Sequence, residues 1–433
     1  MKKFLPIVLI ALIAILLFVA FVYFKQDTSK NGLNSPAGPV KQISFFHYFS
    51  GNLSGGIDEM VATANTSNPS RLILASGLDH EAFKSMIHTS LDRGNPPELF
   101  SYWAGERVQQ LVDRNQLMPI DDLWEDLHLS ENFSPEIIES AVTYNGKKYL
   151  LPITQHLVVF FYNKRLFDSQ NLMPPQSWQE FLNICEKLHK KGITPIALGA
   201  KERWPAQFWF DYLLLRTAGP EYRARLMAGE STYTSPEVVH VYKIWSSLLQ
   251  DNYFNPNANQ LDWAEATDLV RQGKAAMTLM GTWATQTFED LPFALKPGED
   301  YDFFPFPTMG ENIPHASVGP IDGIILSRES ENHVFAKEVL GYFAEQESQK
   351  IMSTGSGALA PNVSINTNFY SPFKQRLREE ISTSSHWVFN YDLATPDTIA
   401  DKGMDSFNEL IEFPLQYSAI LKNLQKEIDQ ELE

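Results

Sequence analysis

Apolar and polar positions follow two alternating spacings along most of the chain. Short runs of β-branched and aromatic residues, typical of strands, recur between stretches whose apolar positions repeat with the helical period. Residues 81–91 carry the helical spacing. Strands are predicted at 42–46, 98–102, 157–162, 193–198 and 275–280. Because strands and helices alternate, the sequence predicts an α/β fold built from layers of sheet and helix.

Polar residues and glycines mark several element boundaries. Two helices begin with a capping box, in which a polar side chain and a glutamate in the first turn each accept a backbone N–H hydrogen bond. The boxes are Ser177 with Glu180 and Asp262 with Glu265. Gly192 and Gly273 predict where these helices end, because glycine readily adopts the left-handed conformation that terminates a helix. Within residues 143–151, Asn145-Gly146 predicts a β-hairpin, since this pair suits a tight turn.

The length of the chain predicts more than one domain. With 433 residues, the chain is too long for one ordinary core and long enough for two. Pro152 and the stretch 314–320 are the strongest interruptions of the pattern, because proline breaks both helices and central strands. We therefore expect domain boundaries near these positions.

The N-terminal residues predict export to the outside of a membrane. Lys2 and Lys3 precede an apolar run over 4–24, which is long enough to cross a bilayer core of about 30 Å as a helix. The end of this run has no small-residue cleavage site, and no cysteine follows it for lipid attachment. The pattern therefore favours a retained anchor over 1–25 rather than a cleaved signal, with the rest of the chain outside. Residues 26–40, rich in Ser, Asn, Gly and Pro, are predicted to form a flexible linker.

Charge and cysteine content exclude several functions. The chain has 52 acidic and 35 basic side chains and a formal charge of −17, which argues against nucleic acid as a partner. Cys185 is the only cysteine, so the chain can form neither an internal disulfide nor a zinc-type cysteine cluster. The sequence also lacks the phosphate-binding G-x-x-x-x-G-K-[ST] loop, the H-E-x-x-H motif and the G-x-S-x-G elbow. We expect no cofactor, no metal ion and no catalytic activity.

Four predicted strands each deliver a large aromatic residue beyond their carboxyl end. These aromatics are Tyr48, which follows His47, together with Trp103, Trp204 and Trp283. In open α/β sheets, ligands bind beyond the carboxyl ends of the strands. A sugar ring has apolar C–H faces that pack on an aromatic plane and a rim of hydroxyl groups. The arrangement therefore predicts a carbohydrate site.

Polar residues near the same strand ends would pair with sugar hydroxyls. Asp322, within Gly319-Pro320-Ile321-Asp322-Gly323, and the pair Gln155-His156 are the first candidates. The complete predicted binding set is His47, Tyr48, Trp103, Gln155, His156, Trp204, Trp283 and Asp322. A structural interpretation stays open for Asp322 and the histidines, because a carboxylate beside glycine can cap a turn. Three tryptophans inside amphipathic helix patterns are predicted in the core instead: Trp178, Trp209 and Trp245.

Six segments, each weak alone, occur in a specific order along the chain. They are GNPPELF (94–100), YNKRLF (162–167), GITPIALG (192–199), GKAAM (273–277), MGTW (280–283) and GPIDG (319–323). In this order they resemble the carbohydrate-binding family of ABC-transporter extracellular solute-binding proteins, the group that is similar to maltose-binding protein. By this resemblance, Trp103 and Trp283 match positions at which family members stack a sugar.

The resemblance also implies an architecture. It implies a two-lobed, type II-like periplasmic-binding-protein fold, in which each lobe is a mixed β-sheet flanked by helices and the chain crosses a hinge more than once. Lobe 1 is expected to comprise 41–151 plus 320–362, and lobe 2 to comprise 152–319 plus 363–433.

The implied function is that of an extracytoplasmic receptor of an ABC importer. Such a receptor captures a mono- or oligosaccharide between its lobes and delivers it to a permease, which is driven by a separate ATPase. We expect a monomer at the periplasmic or extracellular face of the cytoplasmic membrane. Two alternatives stay open: a secreted glycan-active hydrolase or lyase, which would add a pair of carboxylates to an aromatic cleft, and a non-transporting sugar sensor. A polyol, a glycosylated osmolyte or a glycerol phosphate also stays open as the ligand.

Overall fold

The computed structural model describes residues 40–432 with the exception of position 311, and its strands and helices alternate as predicted. The strands are β1 (Lys41–His47), β2 (Arg71–Gly77), β3 (Leu99–Trp103), β4 (Thr143–Tyr144), β5 (Lys147–Lys148), β6 (Leu150–Gln155), β7 (Val158–Asn163), β8 (Thr194–Ala197), β9 (Ala275–Gly281), β10 (Tyr301–Phe304), β11 (Ala316–Val318), β12 (Ile321–Leu326) and β13 (His386–Val388). The α-helices are α1 (Gly55–Ser67), α2 (His80–Asp92), α3 (Glu106–Asp113), α4 (Asp121–Asp126), α5 (Pro135–Ile137), α6 (Lys164–Ser169), α7 (Trp178–His189), α8 (Gln207–Thr217), α9 (Gly219–Met227), α10 (Pro236–Gln250), α11 (Trp263–Arg271), α12 (Ala284–Phe288), α13 (His333–Ala344), α14 (Gln346–Ser356), α15 (Pro372–Thr383), α16 (Tyr391–Ala394), α17 (Asp397–Glu412) and α18 (Tyr417–Leu432).

The N-terminal predictions fall on residues that the structure does not describe. The apolar run over 4–24 and nearly all of the linker predicted over 26–40 lie outside the described residues. Within the part that is described, no helix is long and apolar enough to cross a membrane. The retained anchor therefore stays a prediction.

The first sheet is mixed and has the strand order β2-β1-β3-β12-β6. β1 pairs in parallel with β2 and β3, whereas β12 runs antiparallel between β3 and β6. Every position of β3 and β12 is buried, because helices cover both faces of the central strands. The carboxyl ends of β1 and β3 therefore meet the start of β12 at one edge, where Trp103 pairs with Asp322.

The second sheet is also mixed and has the order β10-β7-β9-β8. β8 and β9 are parallel, and β7 runs antiparallel to both β9 and β10. All residues of β7 and β9 are buried. The register pairs Val158, at the start of β7, with Gly281, at the end of β9. The carboxyl end of β9 therefore lies next to the residues that directly precede β7.

Each sheet lies in its own hydrophobic core. The first core consists of buried residues from 43–153 and 321–352 together with Leu393. The second core consists of buried residues from 157–318 and 359–428. The predicted fold class is confirmed: the chain forms two lobes, and each is a mixed sheet flanked by helices.

The chain passes between the two cores at 153–157, 318–321 and 352–359, and we call these three crossings the hinge. The Gln155 backbone pairs with Ile321 and with Leu359. The three crossings therefore lie side by side.

Pro152 does not break the strand in which it lies, although the first crossing between the cores begins directly after it. Pro152 lies inside β6, and the strand continues beyond it. β6 is an edge strand of the first sheet, and Pro152 faces Gly323 where the register shifts. Proline is tolerated at edge strands and bulges because no ladder hydrogen bond from its nitrogen is required there.

Most local predictions are confirmed. Ser177 and Asp262 each form the expected capping box. β4 and β5 pair across Asn145-Gly146, whose φ values of 49° and 76° are those of a tight hairpin turn. Three residues predicted in the core are fully buried: Cys185, Trp209 and Trp245. Trp178 is half-buried and packs against the second core.

Candidate ligand-binding site

A cavity of about 220 Å³ lies between the two lobes. The first lobe contributes residues that follow β1 and β3, and the second contributes residues that follow β8 and β9. The residues that line the cavity include Tyr48, His80, Lys84, Trp103, Arg107, His156, Trp204, Gln207, Trp283, Asp322, Asn390 and Asp392. The cavity thus sits where the rule for open α/β sheets places a ligand.

Six of the eight predicted binding residues line this cavity: Tyr48, Trp103, His156, Trp204, Trp283 and Asp322. His47 and Gln155 do not. The His47 side chain is buried and its Nδ1 lies 3.1 Å from the carbonyl oxygen of Phe49. Gln155 contributes its backbone, which exchanges two hydrogen bonds of 2.9 Å with Leu359 in the hinge.

Aromatic stacking builds the first-lobe wall. The ring of Tyr48 lies against that of Trp103, with 4.0 Å between centroids and 11° between planes. The ring of Phe83 also packs nearly perpendicular to that of Trp103, with 6.0 Å between centroids. One face of Trp103 is therefore covered by protein, and only 7% of this residue is exposed. The indole supports the wall, and it offers a ligand less surface than an isolated aromatic would.

The second-lobe wall is built around Trp283. Its ring meets those of His156 and Trp204 edge to face, at centroid distances of 5.1 and 5.8 Å. A Cβ at Gly281 would lie 2.0 Å from the Trp283 ring. Only glycine therefore allows the indole to fold back over the end of β9, which explains the Gly281-Thr282-Trp283 sequence.

A buried polar network joins the hinge to both walls. The Thr154 hydroxyl donates to Asp322 Oδ2 at 2.6 Å. The ring of His156 lies between the lobes, with Nε2 3.4 Å from Asp322 Oδ2 and Nδ1 2.8 Å from the Thr282 hydroxyl. His156 and Asp322 are 3% and 4% exposed. The network connects β6, β12 and the end of β9 through one histidine.

The cationic side chains around the cavity already have anionic partners. Arg107 Nη2 donates to Asp392 Oδ2 at 3.1 Å. Burial opposes the charge on Arg107, but the nearby carboxylates, Asp392 above all, raise its pKa. Lys84 Nζ donates to Glu81 Oε1 at 2.9 Å.

Burial and charge also change the protonation of the groups around Lys84. Burial lowers the pKa values of Lys84 and His80. Burial by itself would raise the pKa of Glu81, yet its contacts with His80 and Lys84 lower that pKa to about 2. Glu81 is therefore a carboxylate at neutral pH, whereas burial disfavours the charged forms of its two partners.

Five buried polar atoms on cavity-lining residues form no hydrogen bond of good geometry among the described residues, although Asp322 lies close enough to Tyr48 that, in addition to burial, its charge and hydrogen bonding raise the pKa of Tyr48. They are the Tyr48 hydroxyl, Arg107 Nε, Gln207 Nε2, Asp322 Oδ1 and Asn390 Oδ1. An unsatisfied buried polar atom costs about 1–3 kcal/mol. Because the set contains both donors and acceptors, a ligand that carries several hydroxyl groups could satisfy it.

The sequence prediction missed several residues of the cavity. His80 and Lys84 follow β2, a strand that the pattern did not identify because it is an edge strand with few buried positions. Arg107 is the second residue of α3, four positions after Trp103, where a basic residue is unremarkable. The remainder, Gln207, Asn390 and Asp392, come together through the fold: the Asp392 N–H donates to Gln207 Oε1 at 2.7 Å, across 185 positions of sequence.

A metal-dependent site is not found in the described part of the chain, where no group of three or more His, Cys, Asp and Glu side chains is placed to hold a metal ion.

A cavity enclosed by two mixed-sheet lobes, lined from both sides and crossed by a hinge, defines a two-lobed ligand-binding protein.

The particular family follows from sequence comparison. The profile of the bacterial extracellular solute-binding protein family matches residues 77–350. The chain belongs to this family, and the resemblance drawn from the six sequence segments is confirmed.

Two relatives have similar identity to this chain but match different lengths of it. An ABC transporter extracellular-binding protein of Pyrococcus horikoshii is 28% identical over 352 residues, which cover 80% of this chain and 77% of the relative. A probable sugar-binding periplasmic protein of Mesorhizobium japonicum is 27% identical over 176 residues, 40% of this chain and 41% of the relative.

Solved structures share the architecture. One is a bacterial solute receptor described as having an exclusive preference for β-D-galactopyranose; it is 25% identical, with a TM-score of 0.85 over 91% of this chain and all of the receptor. A chitin oligosaccharide binding protein is 23% identical, with a TM-score of 0.82 over 91% of this chain and 99% of that protein. The second likeness supports the fold alone.

Proposed function

We propose that this solute-binding protein is the carbohydrate receptor of an ABC importer. It captures a sugar in the cavity between its lobes, releases it unchanged to a membrane permease that works with a separate ATPase, and catalyses no reaction itself. The observation that carries the proposal is the combination of aromatic walls from both lobes with unpartnered polar atoms on residues that line the same cavity. A sugar ring presents apolar faces to the walls and hydroxyls to the polar atoms.

The binding residues follow from this geometry. We assign aromatic contacts to Trp204 and Trp283, and hydrogen bonds with ligand hydroxyls to Tyr48, His156 and Asp322. Gln207, Asn390 and Arg107 add polar groups that the sequence did not suggest. Trp103 contributes chiefly by holding Tyr48 in place, because the two rings are stacked.

The lobes divide the chain as 41–151 plus 320–362 and 152–319 plus 363–433. The two cores support this division except at its limits, where Ile153 packs in the first core and Leu359 packs in the second. Ligand contacts come from both lobes, so binding favours the closed arrangement over an open one by the difference in affinity. The protein acts as a monomer.

Location follows from the family, whose members are extracellular. We propose that residues 4–24 stay attached as a membrane anchor, so that the lobes work at the outer face of the cytoplasmic membrane. The linker over 26–40 would then let the receptor reach the permease.

A ligand screen tests the proposed function. Trp103, Trp204 and Trp283 all line the cavity, so intrinsic tryptophan fluorescence should change with saturable dependence on sugar concentration. Calorimetry then gives the affinity, and chromatography of the recovered ligand tests for cleavage. Recovery of intact sugar is expected. New reducing ends or unsaturated products would instead support the hydrolase or lyase alternative.

A further inference from the structure

We propose that the ligand is an uncharged sugar of a single ring, an inference that rests on the proposed sugar-receptor function. Three observations carry it: the volume of the cavity, the contacts that narrow it, and the pairing of its charges. Each constrains a different property of the ligand.

The volume fits one ring. The cavity measures about 220 Å³, below the roughly 300–1,000 Å³ of sites for drug-sized ligands. A protein cavity of about 150 Å³ holds one benzene ring. The additional space therefore accommodates the hydroxyl groups of one sugar ring, whereas a second ring would need the walls to separate.

Two contacts narrow the space into which a second ring could extend. The ring of His80, on the first lobe, lies 6.0 Å from that of Trp204, on the second lobe. The ion pair between Arg107 and Asp392 joins α3 to α16. The backbone of α16 is held by second-lobe side chains, because the Tyr391 N–H donates to Asp211 and the Asp392 N–H donates to Gln207. A longer saccharide would have to break or displace these contacts.

The charges fit a neutral ligand. Lys84 and Arg107 are each paired with a carboxylate of the protein, so neither offers a free cation. The cavity also contains Asp322, whose Oδ1 has no partner among the described residues. A uronate or phosphate ligand would place its negative charge near this carboxylate without a compensating cation. Hydroxyl groups can donate to Asp322 Oδ1 and Asn390 Oδ1 and accept from Gln207 Nε2 and Arg107 Nε.

Calorimetry on the wild-type protein tests the inference directly. The probes are glucose, galactose, mannose, xylose, arabinose, fructose and N-acetylglucosamine, with glucuronate, galacturonate, glycerol 3-phosphate, maltose, lactose, cellobiose and xylobiose. We expect at least one neutral monosaccharide to bind at least tenfold more tightly than every anionic and every two-ring probe. Equal or tighter binding of a uronate, a phosphate or a disaccharide would overturn the inference and leave the receptor function intact. Failure of every probe to bind would count against both.

A charge variant tests the electrostatic part. Glu81→Gln removes the partner of Lys84 and should narrow the affinity gap between a neutral monosaccharide and its uronate at least threefold. Glu347→Gln is the matched control, because Glu347 pairs with Lys350 at the same i,i+3 spacing on an exposed part of α14. An unchanged gap in Glu81→Gln would contradict the role given to charge pairing. If that variant does not fold, the wild-type affinities decide the question alone.

Discussion

His156 Nδ1 lies 2.8 Å from the hydroxyl of Thr282. His156 belongs to the hinge, and Thr282 directly precedes Trp283, the aromatic residue at the centre of the second-lobe wall. The hydrogen bond therefore couples the position of the hinge to the position of that wall. A sugar that packs on Trp283 and forms hydrogen bonds with the first lobe would hold that wall in the same position relative to the first lobe.

We expect the ligand to compact the protein. Because the cavity is lined from both lobes, sugar binding should shift the population toward the closed form and reduce the radius of gyration without changing the oligomeric state. Small-angle scattering with and without saturating sugar measures this. Identical radii for the wild type would contradict the hinge mechanism even if binding were demonstrated.

Trp283→Ala should weaken sugar binding by about 2 kcal/mol, roughly thirtyfold, because the variant loses an aromatic contact between the second lobe and the ligand. It should also abolish the compaction seen by scattering. Trp245→Ala is the control: Trp245 is fully buried in the second core, so its loss should cost about 3–5 kcal/mol of stability with little effect on affinity. Calorimetry measures the affinity of both variants, and melting curves measure their stability. A loss of affinity in Trp245→Ala together with a loss of stability in Trp283→Ala would contradict the assignment of Trp283 to the site and Trp245 to the core.

Gly281→Ala should damage the site without touching a ligand-contacting side chain. The new Cβ would lie 2.0 Å from the Trp283 ring, so the indole must leave its place over the end of β9. Affinity should fall at least tenfold. At Gly55 the nearest atom to an added Cβ is 3.6 Å away, and Gly55→Ala should therefore keep wild-type affinity. A Gly281→Ala protein that binds sugar normally would show that the position of Trp283 is unimportant.

Lys374 should make stability depend on pH in the alkaline range. Its ammonium group donates to the carbonyl oxygens of Ser353 and Ala358, and burial lowers its pKa from 10.5 to about 8, with Glu289 opposing. Between pH 8 and 10.5 the unfolded chain holds more protons at this group than the folded chain. The contribution of Lys374 to stability should therefore rise with pH across this window and fall as the pH returns toward 8.

The measurement is urea unfolding at several pH values between 7.5 and 10. The difference in unfolding free energy between wild type and Lys374→Met should move in favour of the wild type as pH rises, by at most about 1.4 kcal/mol per pH unit. Lys190→Met, at an exposed position, controls for the loss of a surface lysine. A difference that stays constant with pH would contradict the assignment.

The N-terminal prediction has its own test. The apolar run over 4–24 has no small-residue cleavage site, so the native protein should fractionate with membranes and begin at or near Met1. N-terminal sequencing of protein from the producing cells measures this. A first residue between about 25 and 40 would replace the anchor with a cleaved export signal.

The local sequence predicted most of the fold because, in the central strands and helices, the preference of each segment agrees with the structure it adopts. β7 and β9 are buried along their whole length, so their sequences are dense in apolar residues and are recognised as strands. The capping boxes at Ser177 and Asp262 fix where two helices begin, and each box is formed by hydrogen bonds within four consecutive residues. β2 was missed because most of its positions are not buried, and Pro152 does not end a strand because an edge strand tolerates proline.

The site was only partly predictable for a different reason. Aromatic residues at strand ends can be recognised once the strands are known, and this signal singled out Tyr48, Trp204 and Trp283, which line one cavity in the structure. The Arg107–Asp392 pair joins residues 285 positions apart. The two residues come together because the C-terminal segment returns to the cleft. The sequence pattern around neither residue predicts this contact.

The placement of β12 fixes an order of assembly. This strand lies between β3 and β6 in the first sheet, and its Asp322 accepts a hydrogen bond from Thr154, 168 positions earlier. When the chain emerges on the far side of the membrane from its N-terminus, the first sheet lacks the strand between β3 and β6 until 321–326 arrive. The second sheet has all its strands once Phe304 has emerged. The lobe that begins later in the sequence is therefore the first to complete its sheet, and it can serve as the support on which the earlier lobe closes.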